Sequence, residues 1–181
     1  MPKKIRLLFG LMLIITIDSY GCDCKDFSSI DSLRNVSYAY SDFVFYGELI
    51  DFDTVNFTYR FKIHEMFKGN VCDSIIEGRY YDSCSKFPRD KCNWIIYANL
   101  KENGLIDISQ CLLSRSEIYP ICIGCYIIPP PLSSPNADDE EPVEIEAYDK
   151  KLKAQAEKDW LIELDLLRQK KKSQAVAKYK Q

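Results

Sequence analysis

The chain has 181 residues, with 24 Lys and Arg against 27 Asp and Glu and a net charge of -3. Its basic residues are spread among acidic ones, so it lacks the electrostatic footprint of a nucleic-acid binder. It carries eight cysteines, whose meaning depends on whether the chain is exported.

The first segment reads as an export signal. Lys3, Lys4 and Arg6 form a positive start, Leu7 to Ile17 a run apolar but for Thr16, and Ser19-Tyr20-Gly21 puts small residues where a signal peptidase inspects the chain. The run is too short for a permanent bilayer span, and Asp18 ends it. Residues 1–21 are therefore read as a signal peptide and set apart from the fold. Two processing routes follow. Ordinary cleavage leaves Cys22 as a free first residue of a secreted chain. Lipoprotein cleavage, which Ser19 and Tyr20 fit poorly, would leave Cys22 lipidated and anchored to a membrane.

All eight cysteines survive cleavage, and an even number in an exported chain implies a disulfide framework. The remaining chain, about 160 residues, is long enough for one domain and a tail. Cys22-Asp23-Cys24 opens it. Phe27 to Tyr40 has Ile30, Leu33, Val36 and Tyr40 at helical spacing, with Ser28 and Ser29 as caps, and predicts an early helix. Phe43 to Ile50 is rich in β-branched and aromatic residues. Tyr59, Phe61 and Ile63 alternate with Arg60, Lys62 and His64, the pattern of a strand with one wet face. After a turn at Lys68-Gly69-Asn70, Ile75 to Tyr81 predicts a third strand and Asn93 to Leu100 a fourth. Glu102-Asn103-Gly104 closes a hairpin into a fifth, Leu105 to Ser109. Five short strands and an early helix suit a mainly β, small closed barrel of the OB type; periodicity alone also permits a sandwich.

Pro129-Pro130-Pro131 through Asp138-Asp139-Glu140-Glu141-Pro142 reads as an exposed linker, 128–143. The remainder, 144–181, predicts a C-terminal helix with a narrow apolar stripe of Leu152, Ala156, Trp160, Leu164 and Leu167. Packing on its own domain is the favoured use of that stripe, and docking of a partner the alternative. Asn35-Val36-Ser37 and Asn56-Phe57-Thr58 match glycosylation acceptors, relevant only in a eukaryotic secretory host.

Nothing forces catalysis. His64 is the lone histidine and falls on the polar face of its strand; Asp51 and Asp53 read as a solvated turn. There is no Gly-rich phosphate loop and no nucleophile elbow, so the chain is read as a non-enzyme without a cofactor or a metal of its own.

Several segments resemble, in order, the netrin-like domain of the tissue inhibitors of metalloproteinases. They are Cys22-Asp23-Cys24, the run from Asp42 to Glu48, the run from Phe61 to Gly69, Ser83-Cys84, Trp94-Ile95-Ile96-Tyr97-Ala98, and Cys111 followed by Ser114-Arg115-Ser116. The resemblance covers about 95 residues, roughly a small domain, and places such a domain at 22–127. It implies an OB-like barrel with Cys22 paired to Cys84 and Cys24 to Cys111. It also implies a function. In that family the α-amino and carbonyl groups of the first Cys chelate a protease's catalytic zinc and displace its water. Cys22 would then bind the target's zinc, Asp23 would enter the first specificity pocket, and Tyr81, Asp82, Ser83, Cys84 and Ser85 would form the flanking edge. Asp23 departs from the small hydroxyl residue usual there, and burying a carboxylate in an apolar pocket is costly.

The family's third disulfide from the early helix cannot form, because no Cys lies between Cys24 and Cys72. Cys72 and Cys92 are expected partners across the third strand and its following loop, leaving Cys122 and Cys125 for a local bridge. A redox role for that C-x-x-C lacks its β-α-β setting, and a four-Cys zinc site from the same residues has irregular spacing. Two functions are expected from this reading. One is a secreted inhibitor of a zinc metalloprotease acting through Cys22; the other is a noncatalytic binding or structural module, secreted or lipid-anchored.

Overall fold

The computed structural model describes residues 22–25, 27, 29–120 and 141–178. The predicted signal peptide, most of the linker, and the Cys122–Cys125 bridge lie outside them.

Helix α1 is Ile30–Tyr40. Ser29 caps it, its side chain accepting a hydrogen bond from the Ser32 amide at 3.2 Å, and Asp31 puts a negative charge in the first turn. At the other end Lys68 donates its Nζ to the carbonyls of Tyr38 and Ala39, at 2.8 and 3.0 Å, satisfying acceptors the helix leaves open.

The strands are β1 (Phe43–Asp53), β2 (Thr58–Lys68), β3 (Ile75–Arg79), β4 (Asn93–Leu100), β5 (Ile106–Ile108) and β6 (Arg115–Ser116). Strands β1, β2, β3, β5 and β4 pair in that order, and β4 pairs back to β1, so the sheet closes into a five-stranded barrel. All barrel pairings are antiparallel except β3 with β5, which run parallel where Gly78 meets Ile106. This is the OB-like barrel expected from the sequence, and closure leaves no open edge among the five strands.

Two layers follow from strand alternation. Phe45, Leu49, Tyr59, Phe61, Trp94, Ile96, Ala98, Ile106 and Ile108 fill the barrel. The opposite faces of β1 and β4, with Val44, Ile95 and Tyr97, pack outward against Leu33 and Tyr38 of α1 and against the second helix. Burial on both faces explains why Trp94 to Ala98 reads as a continuous apolar run rather than an alternating one.

Helix α2 is Glu141–Lys178. It begins three residues inside the predicted linker. Its stripe turns onto the barrel: Ala156, Trp160, Leu164 and Leu167 are buried, the last three in one cluster with α1 and β4. Arg168 forks onto the Glu65 carboxylate of β2, Nε lying 3.0 and 3.1 Å from its two oxygens. No helix among the described residues is long and apolar enough to cross a membrane.

Strand bounds differ from expectation where turns, not periodicity, set the limits. β1 and β2 extend to Asp53 and from Thr58 because the Asp53 carboxylate closes the hairpin, accepting from the amides of Val55 and Asn56 at 2.7 and 3.1 Å. Hydrogen bonds from Asn56, then from Val55, hold that carboxyl below its ordinary pKa. The two-residue strand β6 was not expected.

Candidate functional site: the stapled amino-terminal arm

The loop from β3 to β4 carries Cys84, and the loop from β5 to β6 carries Cys111. Backbone hydrogen bonds lace the two loops together. The amide of Gln110 donates to the Cys84 carbonyl at 2.7 Å, the amide of Lys86 to Ile108 at 2.6 Å, and Ser85 and Ser109 form an antiparallel bridge. The side-chain amide of Gln110 adds bonds to the carbonyls of Ser83 and Ser85, at 2.9 and 3.0 Å.

Onto this double loop the arm Cys22-Asp23-Cys24 is fastened twice. Cys22 is bonded to Cys84 and Cys24 to Cys111, with Cα separations of 4.8 and 5.1 Å. The two bridges touch: the sulfur of Cys22 lies 3.4 Å from that of Cys111 and 3.9 Å from that of Cys24. Between the anchors Asp23 is exposed, while Cys22 is half-buried.

Tyr81, Asp82 and Ser83 are exposed beside the arm, and Cys84 is half-buried. Asp82 shapes this loop from within, its carboxylate accepting from the Cys84 amide at 2.8 Å and its carbonyl from the Ser85 amide at 3.0 Å. Tyr81 donates its hydroxyl to the Asn103 side chain at 2.8 Å, and Lys101 lies 5.2 Å from its ring centroid.

Ser85 corrects the expectation for this edge. It is 1% exposed and donates its hydroxyl to Asp107 at 2.7 Å while accepting from the amides of Tyr81 and Asp82. It supports the loop from inside and offers no contact surface. The reason is positional, since Ser85 bridges Ser109 at the end of β5 and its side chain falls beneath the loop.

The predicted bridge between Cys72 and Cys92 is absent; both are free thiols. Cys72 is exposed in the turn after β2, whereas Cys92 is drawn against the barrel core, 3.5 Å from the Asn93 carbonyl. Burial raises the Cys92 pKa, which keeps it a protonated, poorly nucleophilic thiol near neutrality. His64 is exposed, its ring 5.5 Å from that of Tyr46.

A buried ion pair and a half-buried lysine have no signature in the sequence. Arg115 and Glu163 pair beneath α2, with Arg34 close by. Lys86 lies in a sheltered place where it donates to the Ser114 carbonyl at 2.6 Å and sits 5.8 Å from the Trp94 ring centroid. Burial first, then the positive charge of Arg115, lowers its pKa to about 8. Nothing in the composition of Ser114-Arg115-Ser116 announces that all three residues are buried.

A cleft of about 580 Å³ opens between α1 and α2, lined among others by Arg34, Tyr38, Tyr97, Glu163 and Lys170. Lys170 lies over the Tyr38 ring, 3.6 Å from its centroid. No family model matches the chain, and no curated protein matches it either.

Proposed function

We propose that this protein is a secreted inhibitor of a zinc metalloprotease, and that it acts through the amino-terminal arm once the chain is cut before Cys22. The reading is supported chiefly by one observation: two adjacent disulfides hold Cys22-Asp23-Cys24 rigidly against a laced pair of loops, with Asp23 projecting and Tyr81, Asp82 and Ser83 exposed alongside. The similarity to tissue inhibitors of metalloproteinases, carried by the ordered segments from Cys22 to Ser116, supplies the rest.

The chemistry is simple. A freed Cys22 has an α-amine that titrates near neutrality, so its lone pair is available without strong base. Amine nitrogen and carbonyl oxygen of one residue form a five-membered chelate on an open zinc coordination position and exclude the hydrolytic water. Pre-ordering by two bridges removes the conformational cost that a loose arm would meet on binding. The chain itself performs no bond cleavage.

Asp23 favours a second reading, a noncatalytic binding module on the same barrel. An exposed carboxylate at the tip of the arm suits a basic recess or a cationic partner better than an apolar pocket. The same fold serves either function.

The deciding experiment compares three forms of the protein against a panel of zinc metalloproteases: one beginning at Cys22, one extended by a single alanine, and one with the α-amine acetylated. Inhibition by the first alone supports chelation. Equal inhibition by all three, or by none, removes it and leaves the binding module.

A further inference from the structure

Three of the four sulfurs of the arm and its anchors crowd together, and the fourth is bonded to one of them. Those of Cys22, Cys24 and Cys111 all lie within 4.8 Å of one another, and Cys84 is bonded to Cys22. A tetrahedral zinc tetrathiolate has Zn–S bonds of about 2.3 Å and hence sulfur–sulfur edges of about 3.8 Å. The Cys22–Cys111 and Cys22–Cys24 separations, 3.4 and 3.9 Å, already bracket that edge.

We propose that in the reduced chain Cys22, Cys24, Cys84 and Cys111 bind one zinc ion as a tetrathiolate, so that the arm has a metal staple as an alternative to its two disulfides.

The scaffold suits this exchange. Cys84 and Cys111 are held together by backbone bonds that do not depend on the disulfides: Gln110 to Cys84, Lys86 to Ile108, and the Ser85–Ser109 bridge. Their amides are fixed as well, Cys84 by Asp82 and Cys111 by the Ser109 hydroxyl at 3.2 Å. The two loops therefore stay laced on reduction, and the metal recaptures the short arm carrying the other two ligands. The step balances. Two equivalents of a dithiol reduce both disulfides, giving four thiols on the chain and two oxidised dithiol molecules; zinc then displaces four protons to form the dianionic site. Cys72 and Cys92 stand apart from this cluster. The proposal needs no free α-amine at Cys22 and is independent of protease inhibition.

The test uses the full chain with Cys72, Cys92, Cys122 and Cys125 changed to Ser. It is reduced with a dithiol, freed of reductant without air, and titrated with Co²⁺ as the probe. The expected result is one Co²⁺ per chain with the thiolate-to-cobalt charge-transfer band and the intense visible bands of tetrahedral cobalt, bleached by equimolar Zn²⁺. Cys84→Ser should weaken binding by more than the roughly 10–100-fold that outer-shell changes cost. Cys22→Ser should do the same while altering only the arm, which covers the case in which the loop variant fails to fold. Absence of the tetrahedral spectrum, or a spectrum and affinity that neither substitution changes, overturns the proposal.

Discussion

A carboxylate oxygen of Glu163, on α2, lies 2.5 Å from the Nη2 of Arg115, on β6, and each side chain is 1% exposed. Tyr97 donates its hydroxyl to the other oxygen at 2.9 Å, and Arg34 places its Nε 3.6 Å from the first. Burial raises the Glu163 pKa despite these cations, so the site is one where desolvation and pairing oppose each other closely. Removing the carboxylate leaves Arg115 buried without its counter-ion. Glu163→Ala is expected to cost about 3–5 kcal/mol, measured by denaturant unfolding. Replacing Arg115 and Glu163 together with Met should cost much less than Glu163→Ala alone.

The Lys86 pKa, lowered to about 8 by burial and then by Arg115, sets a pH dependence. Its folded pKa lies below its unfolded value, so between the two the unfolded chain holds more protons and stability rises with pH. The rise attributable to Lys86 should be at most about 1 kcal/mol per pH unit between pH 8 and 10. Tyr59 and Tyr97, whose pKa values burial raises, contribute the opposite slope above pH 10. Subtracting the profile of Lys86→Met, recorded by denaturant unfolding at each pH, should isolate the rise; a difference flat from pH 8 to 10 would contradict it.

Gly47 lies where β1 and β2 shift register, and a Cβ built there would meet the Lys62 carbonyl oxygen at 2.6 Å and the Ile63 Cα at 3.3 Å. Both are backbone atoms of a paired strand and cannot turn aside. Gly47→Ala is expected to lower stability by about 1–3 kcal/mol, seen as a lower thermal midpoint. Gly104→Ala makes a useful contrast, since no atom lies within 4 Å of the added Cβ and its φ of +81° supplies the only strain.

For the inhibitory reading, Asp23→Thr is expected to tighten inhibition of an apolar-pocketed metalloprotease by roughly tenfold or more, since the costly burial of a carboxylate is removed. Inhibition constants measured side by side with the parent chain check this, and weaker inhibition by the threonine variant would point to a basic pocket in the target.

The barrel was legible in the sequence because its determinants are local. Tyr59 and Phe61 point inward while Arg60 and Lys62 stay wet, as two-residue alternation demands. The helical stripe on α2 could likewise be read, and its burial follows from its being the apolar face. Long-range electrostatics were not legible. Arg115 and Glu163 are 48 residues apart, and each looks like an ordinary surface charge until β6 and α2 converge. The Cys72–Cys92 pairing failed for a related reason: counting cysteines gives an even set, but it cannot show that Cys92 faces the barrel core while Cys72 faces solvent. At the site, the positions of Cys22 and Cys24 in the chain mark out the arm, whereas the inward turn of Ser85 depends on a bridge to Ser109 that adjacent residues do not specify.

The arm's fastenings also fix a timetable for synthesis. Cys22 and Cys24 are the first of the chain's cysteines to emerge, yet their partners follow only 62 and 87 residues later. The next thiol to emerge after them is Cys72, which the finished fold leaves unbridged. A nascent chain oxidised as it appears therefore meets Cys72 before Cys84, and the second bridge cannot close until β5 and the loop bearing Cys111 have been made.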